Sequence, residues 1–152
     1  MARLLDPLIA YHPPMLATPE RRIFDDLLEQ VLAALPEHIH ALMEEIPLVV
    51  EDQPDPKLLR DMKLNPERTT LCGLHWGIPL TKRSVEHSGS MPDQIMLFRE
   101  PILGEAGWYD RPRPARELRI QELERQIRIT LLHEIGHHFG LDEDDLADLG
   151  YG

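Results

Sequence analysis

Apolar residues recur at helical spacing most clearly between Ala115 and His138. One apolar stripe runs along this segment, and charged residues lie on the other side. The stripe consists of Ile120, Leu123, Ile127 and Leu131, and the charged side consists of Glu117, Glu124, Arg125 and Arg128. The pattern predicts a long amphipathic helix with one buried face.

A second apolar stripe predicts a helix over residues 19–35, with Thr18 as its N-cap. Its inward residues would be Ile23, Phe24, Leu27, Leu28, Val31 and Leu35. Pro36 interrupts this helix and can begin a short one over residues 37–45. Residues 1–18 are rich in proline and are predicted to be irregular.

Short apolar runs predict strands in the middle of the chain, at residues 48–51, 69–76 and 94–99. Residues 82–86 are a more polar strand candidate, which we expect at an exposed edge. Residues 52–68 contain three prolines, and we expect a surface loop there with one helical turn.

The 152 residues fit a single domain, which we place at residues 19–152 after the irregular segment. A net charge of -11 and a pI near 5.1 repel phosphate backbones and anionic lipids, so nucleic acid and membrane are poor partners. Neutral or cationic substrates are easier to accept.

No apolar run reaches the roughly 18 residues of a membrane span. Cys72 is the only cysteine, which excludes an internal disulfide, and we expect a cytoplasmic protein. Nothing in the sequence indicates an oligomeric state.

His133 and His137 are four residues apart on the long predicted helix, so both imidazoles project from one face. Two imidazoles so placed can bind one zinc ion at about 2.0 to 2.1 Å. Their face lies beside the stripe of Ile127 and Leu131, at the rim of the core, where a coordination position can meet solvent. The spacing therefore predicts a catalytic zinc site.

Glu134 follows the first of these histidines and completes the pattern HExxH. It sits about 60° around the helix from His137, close enough to reach a water on zinc without ligating the metal. Glu134 is therefore predicted to be the general base, which activates this water for attack on a carbonyl and passes the proton to the departing amine.

The third zinc ligand has to come from the acids after Gly140, which is predicted to end the helix in the left-handed conformation. Too few residues follow for another glutamate-bearing helix, and no methionine follows Met96 to form a methionine turn. The candidates are Asp142, Glu143, Asp144 and Asp145. We choose Glu143, which stands ten positions after His133 as in HExxHxxGxx(H/D) sites, and rank Asp142 second, as a ligand or as the cap of a last short helix. The alternative is that the four acids bind no metal and only form the negatively charged first turn of a helix, which the helix dipole favours.

The remaining histidines have no partner at ligand spacing, and we expect surface or structural roles for His12, His38, His40, His75 and His87. His75 or His87 could also line the cleft. His138 shares the helical angle of Ile127 and Leu131, which predicts a hydrogen-bonded histidine beneath the site rather than a zinc ligand.

Other reactive residue types have weaker signals. Cys72 has apolar neighbours and is predicted to be a core thiol rather than a nucleophile. Tyr109 and Tyr151 are candidate oxyanion donors, although neither has a distinctive spacing. Four arginines alternate with prolines and are interpreted as a solvated linker and helix start in preference to an anion site: Arg111, Arg113, Arg116 and Arg119.

Three segments resemble the small bacterial zincin-like metallopeptidases, the mini-zincins related to aspzincins. They are HEIGHHFGLDEDDLADLG at residues 133–150, GLHWGIPLT at residues 73–81 and PDQIMLFREPIL at residues 92–103. The resemblance runs from about Phe24 to Gly150. It implies an α+β, minimal zincin-like fold, with a short twisted mixed sheet, a backing helix and an active-site helix.

The resemblance also implies roles for single residues. The family pattern matches His133 and His137 as zinc ligands and Glu134 as the base. The family's third ligand is usually an aspartate at the position of Glu143, so this chain lengthens that ligand by one methylene.

These residues favour a zinc-dependent metallopeptidase that acts on an extended peptide or an unfolded protein. The substrate backbone would pair with a sheet edge near residues 81–87 or 94–99. The main alternative is a catalytically silent zinc-binding adaptor or regulator on the same fold. A third interpretation is an acidic interaction module in which the HExxH helix is purely structural.

Overall fold

The computed structural model describes residues 16–68, 71–77, 93–140, 142 and 144. In chain order its elements are α1 (Thr18–Ala34), α2 (Glu37–Met43), β1 (Leu48–Glu51), α3 (Pro56–Asp61), β2 (Gly73–Trp76), β3 (Gln94–Phe98), α4 (Arg99–Glu105) and α5 (Arg116–His138). No helix in this part of the chain has the length and apolarity needed to cross a membrane. The predicted domain boundary between residues 18 and 19 stays a prediction.

The three strands form one mixed sheet in the order β1-β3-β2. β1 runs parallel to β3 with Leu48 opposite Ile95, and β2 runs antiparallel to β3 with Gly73 opposite Leu97. α5 packs against β2 and β3, and α1 packs against α5. This arrangement confirms the expected α+β fold with a short mixed sheet, a backing helix and a long helix against the sheet.

β3 is the central strand of the sheet and is paired on both sides. The expectation that residues 94–99 could offer an edge to a substrate is therefore wrong. Burial accounts for the central place of β3, because Ile95, Leu97 and Phe98 are fully buried. The other expected edge, residues 81–87, lies outside the described residues.

The core lies where the apolar stripes of α1 and α5 meet the sheet. Both predicted stripes are confirmed, since Phe24 of α1 and Leu131 of α5 are fully buried. Burying one side chain of this size stabilises the fold by about 1.5–3 kcal/mol. The other fully buried large side chains of this region include Leu123, Ile127, Ile102 and Leu103.

An ion-pair network fastens α1 to the sheet. Arg99, at the start of α4, donates from Nε to Oδ1 of Asp25 at 2.8 Å and from Nη1 to Oδ1 of Asp52 at 3.0 Å. Arg21 of α1 donates to both oxygens of Asp52, which follows β1. The hydrogen bonds from Arg21 and then from Arg99 hold the pKa of the Asp52 carboxyl below its ordinary value, against the opposing effect of burial.

Several element ends differ from the sequence prediction. α1 begins at Thr18, so that Ala17 rather than Thr18 is the N-cap, and α2 ends at Met43. β2 begins at Gly73, and the N–H of Phe98 also donates to the carbonyl of Cys72 just before this strand. These shifts leave the order of the predicted elements intact.

The loop over residues 52–68 contains α3, which confirms the expected helical turn. Asp55 caps it by accepting from the N–H of Lys57 at 2.8 Å. The sequence pattern does not predict α4, which follows β3 directly. Pro101 lies in the first turn of α4, where a proline removes no intrahelical hydrogen bond.

Candidate metal centre

The last two turns of α5 bring His133, Glu134 and His137 together. One ligand atom from each of the three lies within 4.8 Å of the others. The two imidazole centroids are 4.5 Å apart, with an angle of 75° between the ring planes. The rings meet because residues four positions apart share a face of a helix.

Glu134 lies on the sheet side of this group. It is only 8% exposed, whereas both histidines are half-buried. A Cβ built on Gly73 of β2 would stand 3.0 Å from Cγ of Glu134 and 2.8 Å from Cγ2 of Thr130. The absence of a side chain at Gly73 therefore lets α5 pack closely on β2 and sets the position of the carboxylate.

A second group of ligand-type side chains lies at the end of α5. It consists of His138, His75 of β2, and Asp93, which directly precedes β3. Nδ1 of His138 is 3.2 Å from Nε2 of His75 and 3.5 Å from Oδ2 of Asp93. Gly77 leaves room for the carboxylate, since a Cβ there would stand 1.9 Å from Oδ1 of Asp93.

The packing of β2 along α5 explains both contacts. Gly73 and His75 are two residues apart and point to the same face of the sheet. Glu134 and His138 are four residues apart and share a helix face. Two strand residues and four helix residues both advance the chain by about 6 to 7 Å, so Gly73 meets Glu134 where His75 meets His138.

The profile of the zincin-like metallopeptidase family matches residues 43–152, which is more than two thirds of the chain. The chain belongs to this family. Membership in the zincin-like metallopeptidases implies zinc binding, and the matched region contains both groups of ligand-type side chains. A comparison with curated proteins gives no match.

The first group suits the zinc that the zincin-like family implies. Imidazole nitrogens are among the commonest zinc ligands, and His133 and His137 present theirs from one helix face. Glu134 brings a carboxylate into the same group. Two imidazoles and one carboxylate thus form a donor set that fits a zinc ion.

The helix ends as predicted beyond these residues. Gly140 has φ of 81°, and its N–H donates to the carbonyl of His137 at 3.0 Å. Glu143, the ligand chosen from the sequence, lies outside the described residues. Asp142 is exposed. Its carboxylate belongs to neither of the two groups of ligand atoms found among the described residues. The third ligand therefore stays a prediction.

His138 is 6% exposed and lies within hydrogen-bond distance of His75. This agrees with the prediction that His138 is buried and lies outside the HExxH group. His75 has no partner at ligand spacing along the sequence, but strand pairing and helix packing bring it to His138, in line with the structural role expected for it. The sequence signal for this contact is that His75 stands two residues after Gly73 in a predicted strand, so that both lie on the same face of the sheet.

Cys72 is half-buried and packs against the core, as predicted for a structural thiol. Burial, followed by the charges of Glu105 and Glu134, raises the pKa of this thiol to about 11.

Tyr109 is 48% exposed, and its pKa is raised by burial and by the charges of Glu100 and Glu20. The other tyrosine considered as an oxyanion donor, Tyr151, lies outside the described residues.

The arginine-rich stretch leads into α5, which confirms the predicted helix start. Arg119 donates from Nε to the carbonyl of Pro114 at 3.1 Å, and its guanidinium lies 4.7 Å from the ring centroid of Trp108. Packing on an aromatic face accounts for the place of Arg119 without an anion.

Proposed function

We propose that this protein is a zinc-dependent metallopeptidase that hydrolyses peptide bonds. The observation that carries the proposal is the meeting of His133, Glu134 and His137 within 4.8 Å, in a chain of the zincin-like family. His133 and His137 would hold the ion together with Glu143. Zinc held there supplies a Lewis acid that polarises the peptide carbonyl and acidifies a water.

Glu134 is the proposed general base. It accepts the proton of the attacking water and then donates it to the amine nitrogen as the C–N bond breaks. The close approach of Gly73 to its side chain supports this role, because a crowded side chain has fewer orientations available. Its burial also supports the role, since hydrogen bonds to a carboxylate strengthen where water is excluded.

The proposed substrate is an extended peptide or an unfolded protein segment. Its backbone would add to the sheet through residues 81–87, which follow β2, an outer strand of the described sheet that packs on α5. The net charge of -11 favours neutral or cationic segments over acidic ones.

Glu134→Gln tests the proposal, because it keeps the shape of the side chain and removes the base. We expect peptide cleavage to fall by about 10²–10⁴-fold, with the zinc content and the thermal unfolding of the protein unchanged. Glu117→Gln is the matched control, since Glu117 is an exposed glutamate in the first turn of the same helix, and it should keep the native rate.

Cleavage by Glu134→Gln at the native rate would exclude Glu134 as the base. Native protein that binds zinc and cleaves nothing in a diverse peptide library would instead support a catalytically silent zinc-binding adaptor.

A further inference from the structure

We propose that His75, Asp93 and His138 form a second zinc site, separate from the HExxH group. The two groups of ligand atoms have no residue in common. The side chains of His138 and Asp93 are only 8% and 12% exposed. Two imidazoles and one carboxylate are a donor set that zinc accepts.

Two of the three separations between the ligand atoms match those around a metal ion. A tetrahedral zinc ion with bonds of about 2.0 to 2.2 Å holds neighbouring ligand atoms roughly 3.3 to 3.6 Å apart. Nδ1 of His138 lies 3.2 Å from Nε2 of His75 and 3.5 Å from Oδ2 of Asp93. These two separations fit a shared ion, and the ligand atoms of His75 and Asp93 lie within 4.8 Å of each other.

The chemistry of the shared atom favours an ion over hydrogen bonds alone. Nδ1 of His138 carries at most one N–H, which lies in the ring plane and can align well with only one of the two neighbouring atoms. A cation among the three atoms accepts a lone pair from each of them. It also places positive charge beside a nearly buried carboxylate.

The surrounding backbone is shaped for this group. Gly77, directly after β2, has φ of 136° and leaves the space that Oδ1 of Asp93 occupies. The close packing of Gly73 on Glu134 sets the register in which His75 reaches His138.

A zinc ion here would connect the end of α5, the outer strand β2 and the start of β3. His137 and His138 project about 100° apart around α5, so the two sites would lie on different sides of the helix. An ion at His138 would hold the register between β2 and α5, and with it the contact between Gly73 and Glu134. This role in holding β2 against α5 does not depend on peptide hydrolysis.

Metal content per chain tests the inference. Protein stripped with a chelator, reloaded with zinc sulfate and desalted should carry two zinc ions per native chain. His75→Gln and Asp93→Asn should each carry one. A double variant, His133→Ala with His137→Ala, should also carry one. His38→Gln, which changes an exposed histidine of α2, is the matched control and should carry two.

Two results would overturn the inference. One is a double variant at His133 and His137 that carries no zinc; the other is native-like zinc content in both His75→Gln and Asp93→Asn. If these variants fail to fold, anomalous scattering from zinc-loaded crystals of the native protein decides, because a peak is expected among His75, Asp93 and His138 and its absence excludes the site. Native protein with two ions and no peptide cleavage would keep this site and refute the proposed function.

Discussion

Gly73 and Glu134 face each other where β2 packs on α5, and a Cβ on Gly73 would stand 3.0 Å from Cγ of Glu134. The same Cβ would stand 2.8 Å from Cγ2 of Thr130 and 3.2 Å from the carbonyl oxygen of Met96. Because one of these atoms belongs to the backbone of β3, rotation of a single side chain cannot relieve the crowding. The position of the proposed base thus depends on a residue in another element.

Gly73→Ala should therefore weaken both the fold and the site. Forcing a methyl group into this contact costs about 1–3 kcal/mol of unfolding free energy. Since the strain falls on Glu134, we expect peptide cleavage to drop even under conditions in which the variant stays folded. Urea unfolding and cleavage rates measure the two effects.

Gly104→Ala is the matched control for this substitution. Gly104 lies in α4, and a Cβ there would meet no atom within 4 Å. Alanine is the better helix former, so this variant should be more stable than the native protein by about 0.4–1 kcal/mol. Equal stability and activity of Gly73→Ala and the native protein would contradict the role of the Gly73 contact.

Leu131→Ala should destabilise the protein strongly. Leu131 is fully buried, two residues before His133, and replacing such a leucine costs about 2–5 kcal/mol through lost burial and a residual cavity. Leu118 of the same helix is 59% exposed, and Leu118→Ala should change the unfolding free energy by less than about 0.5 kcal/mol. Denaturant titration compares the two variants, and similar midpoints would argue against the assigned buried face of α5.

Cys72 should react slowly with thiol reagents in the folded protein. Its pKa of about 11, against an ordinary value of 9.0, reduces the thiolate fraction near pH 8 about 100-fold. We expect alkylation by iodoacetamide to be slow in buffer, fast in urea, and accelerated in the folded protein only above about pH 10. Equal labelling rates for folded and unfolded protein at pH 8 would contradict this assignment.

The ion pairs of Asp52 should make stability depend on pH in the acid range. The pKa of Asp52 is lowered in the folded protein, so its contribution is fully present above its ordinary value of 3.8 and is lost as the pH falls through the folded value. Asp52→Asn should thus lower the urea midpoint at pH 7, and the difference from the native protein should shrink towards pH 2.

Asp61→Asn is the control for the pH experiment, since Asp61 is an exposed residue at the end of α3. Its urea midpoint should follow that of the native protein at every pH. If the gap between native protein and Asp52→Asn were the same at pH 2 and pH 7, the ion pairs with Arg21 and Arg99 would not contribute.

The sequence by itself determined the features that depend on residues close together in the chain. The apolar stripe of α5 fixes which side of the helix is buried, and His133, Glu134 and His137 meet because one helical turn separates them. The left-handed end at Gly140 is equally local, since glycine adopts positive φ at little cost. These features do not depend on how the remaining elements are arranged.

Only the tertiary structure decided which distant residues meet. His75 and His138 are 63 positions apart, and their contact depends on the register of β2 against α5. The hydrophobic pattern of the sequence also did not predict that β3 is the central strand, because a short apolar run fits an edge strand or a central strand equally well. Pairing and packing depend on the energy of the whole arrangement, which spacing along one segment does not contain.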